Sequence, residues 1–298
     1  MKNKSFTLIE ILIVIIIIGL LAGVIIISTA SSINTANLTK SISFSNKIKN
    51  THYLNGILEW TFDGGTGTLV SDSWGSKNGS LKNFNFNPSS GWRSGEKCIL
   101  GGCLEFDGVD DYVSIATSGI NDYSKPLALE MWLYIPSSFT WVNGTIGSFY
   151  ANAWGMGIFR NTSNNILTFA ARIGSISSYG TQNYKIERDK FYHLVFSGNG
   201  SSFDAYVNSI KINTSPLTYG VGPGGYLIGS FYLGNSKIYG GNGGGYLKGT
   251  IDDVRIYNKN LSLSEIRQNY VAGLDSLLAQ GGISKQEYNE RLKNLAGR

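Results

Sequence analysis

Leu127-Ala-Leu-Glu-Met-Trp-Leu-Tyr-Ile135 alternates along its length and stops at Pro136. A period of two puts successive side chains on opposite faces, as a strand does, and a proline lacks the N–H needed to continue a ladder. Upstream, residues 56–62 alternate in the same way and break at Asp63-Gly64-Gly65. Further short runs fall at 112–115, 167–172, 191–196, 203–207, 226–228, 231–233 and 250–257, separated by Gly, Asn, Ser and Asp. Many short strands at turn-rich spacing predict a mainly β chain, with one antiparallel β-sandwich or jelly roll over residues 51–260.

Composition agrees with that reading. Charged residues make up 15% of the 298 and aromatics 12%, with 38 glycines, which suits a glycine-punctuated β protein better than a helical one. Net charge is +5 without a block of Lys or Arg, so no nucleic-acid partner is expected.

Outside the β region the chain changes character twice. From Phe6 to Ile27 it is apolar except for Thr7 and Glu10, and about 20 such residues suffice to cross a bilayer core as a helix. Lys2 and Lys4 precede the run, which by the positive-inside bias keeps the N-terminus cytoplasmic and turns the rest of the chain outward. The run exceeds a signal-peptide core, and Glu10 within it is costly enough to imply a function and a partner. Residues 6–50 are expected as one long N-terminal helix.

Met1-Lys-Asn-Lys-Ser5 followed by Phe6-Thr-Leu-Ile-Glu10 resembles the leader and first helix of type IV pilins and pilin-like proteins. The resemblance implies a leader over residues 1–5, cleavage by a prepilin peptidase between Ser5 and Phe6, and methylation of the new amine. Ser5 stands where that family usually has Gly. It also implies that Glu10 neutralises the Phe6 amine of a neighbouring subunit in an apolar filament core, where an unpaired charge is costly.

Within the β region, Trp60-Thr-Phe-Asp63 with the loop to Leu81, Leu104-Glu-Phe-Asp107-Gly-Val-Asp-Asp111-Tyr-Val113, and Gly249-Thr-Ile-Asp252-Asp253-Val-Arg255-Ile-Tyr-Asn258 resemble landmarks of laminin-G-like, concanavalin A-like jelly rolls. A further departure is Asn208-Ser209, where that family turns at Gly. Ser tolerates positive φ poorly, which predicts another turn type. Related jelly rolls hold a structural Ca²⁺ where the first and last strands meet, which implies Asp63, Asp252 and Asp253 as ligands. These acids also read as turn formers, because Asp-Gly and Asp-Asp make Asx turns.

Cys98 and Cys103 are expected to form a disulfide, given an extracytoplasmic head, with two free thiols as the alternative. Trp74, Trp92, Trp141 and Trp154 lie in turn-rich stretches and are candidates to stack on sugars, whereas Trp60 and Trp132 read as core. Catalysis is not expected. A glycoside hydrolase needs two carboxylates roughly 5 to 9 Å apart, and Glu59, Glu105 and Glu130 each stand alone, while His193 reads as a core histidine.

Residues 261–298 carry a helical period. Ser262 and Glu265 form a capping-box pattern, Gly281-Gly282 ends the first helix, and Ser284 with Glu287 begins a second. This short hairpin resembles oligomerisation tails of bacterial envelope proteins, and packing on its own domain is the alternative.

The combined expectation is a pilin-like subunit held by its N-terminal helix in the cytoplasmic membrane and then in an extracellular filament of other pilin subunits. Its lectin-like head would bind glycans or a surface and serve adhesion. A pseudopilin or minor pilin of a secretion or DNA-uptake system is the alternative, with a membrane-anchored glycoside hydrolase behind it.

Overall fold

The computed structural model describes residues 8–9, 11–19, 54–116, 125–138, 144–151, 154–161, 166–172, 180–213, 217–218, 230–235 and 245–296. In chain order the strands are β1 (Gly56–Trp60), β2 (Leu69–Val70), β3 (Gly79–Lys82), β4 (Gly91–Ser94), β5 (Gly102–Asp107), β6 (Tyr112–Ala116), β7 (Leu127–Ile135), β8 (Gly144–Ala151) and β9 (Trp154–Asn161). They continue as β10 (Ile166–Arg172), β11 (Gly180–Lys185), β12 (Lys190–Gly198), β13 (Ser202–Val207), β14 (Ile210–Lys211), β15 (Leu217–Thr218), β16 (Ser230–Leu233) and β17 (Lys248–Tyr257). Two helices, α1 (Leu263–Gln280) and α2 (Lys285–Ala296), close the chain.

The strands form two antiparallel sheets. One has nine strands, ordered β14-β13-β12-β7-β17-β5-β4 with β1 on β17 and β15 on β13. The other has eight, ordered β11-β10-β9-β8-β16-β6-β3-β2. Their facing sides make one core that includes Leu58, Trp60, Phe106, Val113, Leu129, Leu133, Phe169, Phe196, Phe231 and Ile256. The alternation read at residues 127–135 is the cause: Leu127, Leu129, Met131, Leu133 and Ile135 point into this core.

Strand β17 is the hinge of the nine-stranded sheet. Its first half pairs with β5 (Lys248 to Ile251) and its second half with β1 (Val254 to Tyr257), so two strands share one of its edges. The change of neighbour coincides with a break in register against β7 between Asp252 and Arg255, and Asp253 there has φ 51°. Such a bulge re-aims side chains and ends pairing.

The C-terminal hairpin belongs to this domain. Ser262 and Glu265 form the capping box, and Gly281 ends α1 in the left-handed region at φ 79°. Ile266, Tyr270, Leu274 and Leu277 of α1 are buried against the outer face of the nine-stranded sheet, with Trp132, Phe191 and Ile99 among their neighbours. A Cβ at Gly273 would meet the Trp132 ring at 2.1 Å, so the glycine permits the close approach. Of the two readings of the tail, packing on its own domain is the one seen.

Several strands escaped the sequence reading, namely β5, the short β2, β3, β4, β14 and β15, and the glycine-bearing β8, β9 and β11. Residues 11–19 are helical, and Ile11 to Ile18 are each exposed by about half or more. Among the described residues no helix is long and apolar enough to cross a membrane. Ser5, Phe6, Glu10, Trp141 and the run expected at 226–228 lie outside the described residues.

Candidate functional site

The bulge in β17 gathers acids at the rim of the nine-stranded sheet. Asp63, just past β1, accepts from Gly102 N–H at 2.9 Å through Oδ1. Asp252 Oδ2 accepts from Ile99 N–H at 2.6 Å. Both donors lie within the turn closed by the Cys98–Cys103 disulfide, whose S–S distance is 1.98 Å. Glycine is required there, because a Cβ on Gly101 would lie 2.0 Å from Asp63 Oδ1 and one on Gly102 would lie 2.5 Å from Phe62 O.

Beside them Arg255 bonds Glu59 Oε1 at 2.8 Å and Asp253 Oδ1 at 3.0 Å. The group therefore holds four carboxylates, Glu59, Asp63, Asp252 and Asp253, against one guanidinium. Burial and then the Asp253 charge push the Asp252 pKa well up, and burial raises that of Asp253 although Arg255 opposes it.

Two other acid positions have different roles. Asp72 accepts backbone N–H groups from Glu59, Trp74 and Lys77, each at 3.0 Å, and so shapes the first loop. Asp107, Asp110 and Asp111 bring carboxylate oxygens within 4.8 Å of one another. Asp107 caps the turn at Val109 N–H, and Asp111 Oδ2 accepts from Asp107 N–H. Burial pushes the Asp111 pKa up to about 6.

Glu130 was expected to stand alone, and His193 to be a plain core histidine. His193 is buried and bonded, as a core histidine should be, and both residues lie on the outer face of the nine-stranded sheet, fully buried beneath α1. Glu130 accepts from His193 Nε2 at 2.7 Å, Tyr257 OH at 2.6 Å, and Asn269 Nδ2 of α1 at 2.9 Å. Across the sheet, Glu59, Arg255 and Glu130 are successive cross-strand neighbours, so the charges alternate in sign. Burial alone would raise the Glu130 pKa. The His193 bond and charge, Arg255 and Tyr257 outweigh it and hold the pKa at about 2.

The eight-stranded sheet shows the opposite surface. Cross-strand partners Ser80, Ser114, Tyr232, Ser148, Gly157, Ala170 and Thr181 form one row spanning seven strands. The neighbours Leu81, Val113 and Phe231 point into the core, as does the Cα–H of Gly147, which places Ser80, Ser114, Tyr232 and Ser148 on the outer face. Tyr112 stands beside it, its ring 6.4 Å from that of Tyr232. Ser148 is fully buried, with an unpartnered hydroxyl. Tyr232 is 9% exposed and Tyr112 partly exposed, so the Ser80–Tyr112 end is the accessible one. Further along the sheet, Thr168 Oγ1 donates to Asn183 Oδ1 at 2.8 Å. Side chains on this face contribute hydroxyl and amide groups next to tyrosine rings, the chemistry that stacks and hydrogen-bonds polyols.

The sequence-picked tryptophans fall elsewhere. Trp74 is a correction: it is 9% exposed, packs on Tyr257 and fills the space left by Gly56, so its face is not open to a ligand. Trp92 sits on β4, its Nε1 donating to Gly67 O at 2.8 Å and its ring against Phe62. Trp154 begins β9. Trp60 is core as expected, whereas Trp132, also buried, lies under α1 and not between the sheets.

A model of a prokaryotic N-terminal methylation motif matches residues 1–26. No curated protein matches the chain. Among solved structures, domain 4 of AbnA, an extracellular arabinanase from Geobacillus stearothermophilus solved with arabinotriose, is 17% identical with a TM-score of 0.52, covering 72% of this chain and 97% of that one. The ligand-binding domain of botulinum neurotoxin serotype D, solved with N-acetylneuraminic acid, is 12% identical with a TM-score of 0.56 over 76% of this chain and 53% of that one. A sialidase of Trypanosoma rangeli is 16% identical with a TM-score of 0.55, over 73% of this chain and 33% of that one. At these identities the similarity is one of fold. The model of the concanavalin A-like lectin/glucanases superfamily matches residues 107–267, more than half of the chain, and the chain belongs to that superfamily.

Proposed function

We propose that the chain is a type IV pilin-like subunit whose head is a glycan-binding lectin. The observation that carries this reading is the joining of a methylation motif at residues 1–26 to a superfamily head on one chain. Cleavage before Phe6 would free the amine that Glu10 of a neighbouring subunit neutralises. The exposed apolar side chains of residues 11–18 find no cover within the described chain, which suits lipid first and other copies of the helix later. Glu10→Leu should abolish filaments seen by electron microscopy while the protein still accumulates in the membrane. Unaltered filaments would sink the assembly reading.

The head binds rather than cleaves. Glu59 and Glu105 are tied to Arg255 and Arg93, and Glu130 is sealed under α1, so none of these three is free to reach a sugar. The glycan is assigned to the Ser80, Tyr112 and Ser114 end of the outer face, where hydroxyls stand beside an accessible ring, and glycan binding is supported by two neighbouring folds solved with sugars. Glycan-array binding by the full-length chain in detergent tests this, with Tyr112→Ala expected to weaken it. Cleavage of a bound oligosaccharide would overturn the non-catalytic reading.

The expected Asp63, Asp252 and Asp253 crowd the β17 bulge, where burial and the Asp253 charge push up the Asp252 pKa, although among the described residues the acids whose oxygens come within 4.8 Å of one another are Asp107, Asp110 and Asp111. A bound Ca²⁺ would neutralise that repulsion and tie the first strand to the last. Adding EDTA should lower the unfolding temperature, and excess Ca²⁺ should restore it. No change with EDTA would remove the cation from the reading.

A further inference from the structure

On the side of the sandwich away from the hydroxyl face, the turn between β13 and β14 and the two helices line a half-open cavity of about 190 Å³. Leu263 and Leu295 form its apolar walls, and Ser209, Lys211, Arg267 and Asn294 bring polar groups to it. Two of those groups lack partners among the described residues. Ser209 is 2% exposed with an unbonded hydroxyl, and Arg267 Nε is buried without an acceptor. A buried polar group left without a bond is costly, so two at one cavity mark a missing acceptor.

The backbone adds an independent sign. Asn208 and Ser209 have φ 51° and 59°, the two-residue hairpin geometry in which glycine is at ease and serine is not. The departure from glycine has not changed the turn type. Strain of this sort concentrates where a side chain is needed, and here it carries a hydroxyl into the cavity. The charge at the cavity is small. Lys211 pairs with Asp204 at 2.8 Å, which leaves Arg267 as the uncompensated cation of the lining.

We propose that this cavity binds a single carboxylate borne on a small polar molecule, with Arg267 and Ser209 donating to its two oxygens. A net charge of one selects a monoanion over a doubly charged phosphate, and the volume exceeds the few waters that would satisfy the donors alone. The inference does not depend on the glycan face, which lies on the other sheet.

The test is titration of the full-length chain in detergent, by calorimetry, with acetate, glucuronate, glucose and inorganic phosphate. Acetate and glucuronate should saturate one site, glucose should not bind it, and phosphate should bind more weakly. Arg267→Gln should weaken binding about tenfold or more, the loss of one charge-assisted bond. Ser209→Gly should weaken it severalfold while leaving the unfolding temperature equal or higher, because glycine relieves the turn. That variant decides the matter even if Arg267→Gln does not fold. The proposal is overturned if no carboxylate saturates, if both variants bind as the parent does, if phosphate binds more tightly than acetate, or if a crystal grown in glucuronate holds only water in the cavity.

Discussion

The two outer faces of the sandwich are built on one alternating pattern and finished differently. On the nine-stranded sheet the outward row is charged, with Glu59, Arg255 and Glu130 side by side, and α1 seals it. On the eight-stranded sheet the outward side chains include Ser80, Ser114, Ser148 and Tyr232, and among the described residues no helix lies over them. Charges buried under a helix must be matched group by group, whereas hydroxyls at a surface keep their bonding capacity for a ligand. The first face fixes the domain, and the proposed glycan surface lies on the accessible Ser80–Tyr112 end of the second. Each experiment below asks whether stability and binding do separate along this line.

The largest effect should come from the sealed face. Glu130→Ala removes the acceptor shared by His193, Tyr257 and Asn269 and leaves a gap under α1. Breaking a buried charge network in this way costs on the order of 3 to 5 kcal/mol, readable as a fall in the urea midpoint. Ser114→Ala on the other face should stay within about 0.5 kcal/mol. Equal losses from both would erase the distinction.

The same network sets the acid limit of stability. Glu130, at about 2 against an ordinary 4.5, stabilises the fold above pH 4.5, and that contribution, roughly 3 kcal/mol, is lost as pH falls toward 2. Asp111, pushed up to about 6, works in the other sense. The native state favours its protonated form, so its contribution is full below 3.8 and is lost as pH rises through 6. Asp252 and Asp253 are displaced in the same direction. Stability measured in urea should therefore rise from pH 7 toward pH 5 and fall steeply below 4. Asp111→Asn should flatten the neutral limb, and Glu130→Gln the acid one.

How much of this was legible follows from what kind of signal each part leaves. Alternation along 127–135 and 250–257 is local, so the core strands could be read, as could α1 from its capping box and Gly281. Strands β8, β9 and β11 could not, because Gly144, Gly147, Gly155, Gly157, Gly180 and Asn183 carry turn composition while cross-strand pairing decides their state. The Glu130 network was hidden for another reason. Its partners His193 and Asn269 lie 63 and 139 residues away, and no periodicity links them. Trp74 misled because nothing local announces that Gly56 leaves room for its ring. The acids at the β17 bulge were picked through the first and last strands, which do pair there. The tyrosines of the hydroxyl row were passed over, since a tyrosine on a strand reads as core until the register shows which face it takes.

A smaller effect should follow from the contact that holds the seal down. Gly273→Ala places a methyl within 2.1 Å of the Trp132 ring, and α1 must shift to admit it. Overpacking of this kind costs typically 1 to 3 kcal/mol. Hydrogen exchange should then quicken in α1 and in β7 beneath it, with the eight-stranded sheet unchanged. Uniform quickening would mean that the two faces do not unfold separately.

The smallest effect on stability is expected where the effect on binding is greatest. Tyr112 stands at the accessible end of the hydroxyl row, its ring tilted against Tyr232 and otherwise directed away from the core. Tyr112→Ala should cost the fold less than about 1 kcal/mol, since a partly exposed side chain gives up little buried area. A sugar stacked on that ring would lose about 0.5 to 1.5 kcal/mol beyond area, a threefold to tenfold weaker affinity in glycan titration. Tyr112→Phe keeps the ring and loses only the hydroxyl, so it should retain most of the stacking. If Phe weakened binding as much as Ala, the hydroxyl and not the ring would carry recognition, and the row of serines would be the place to look for its partners.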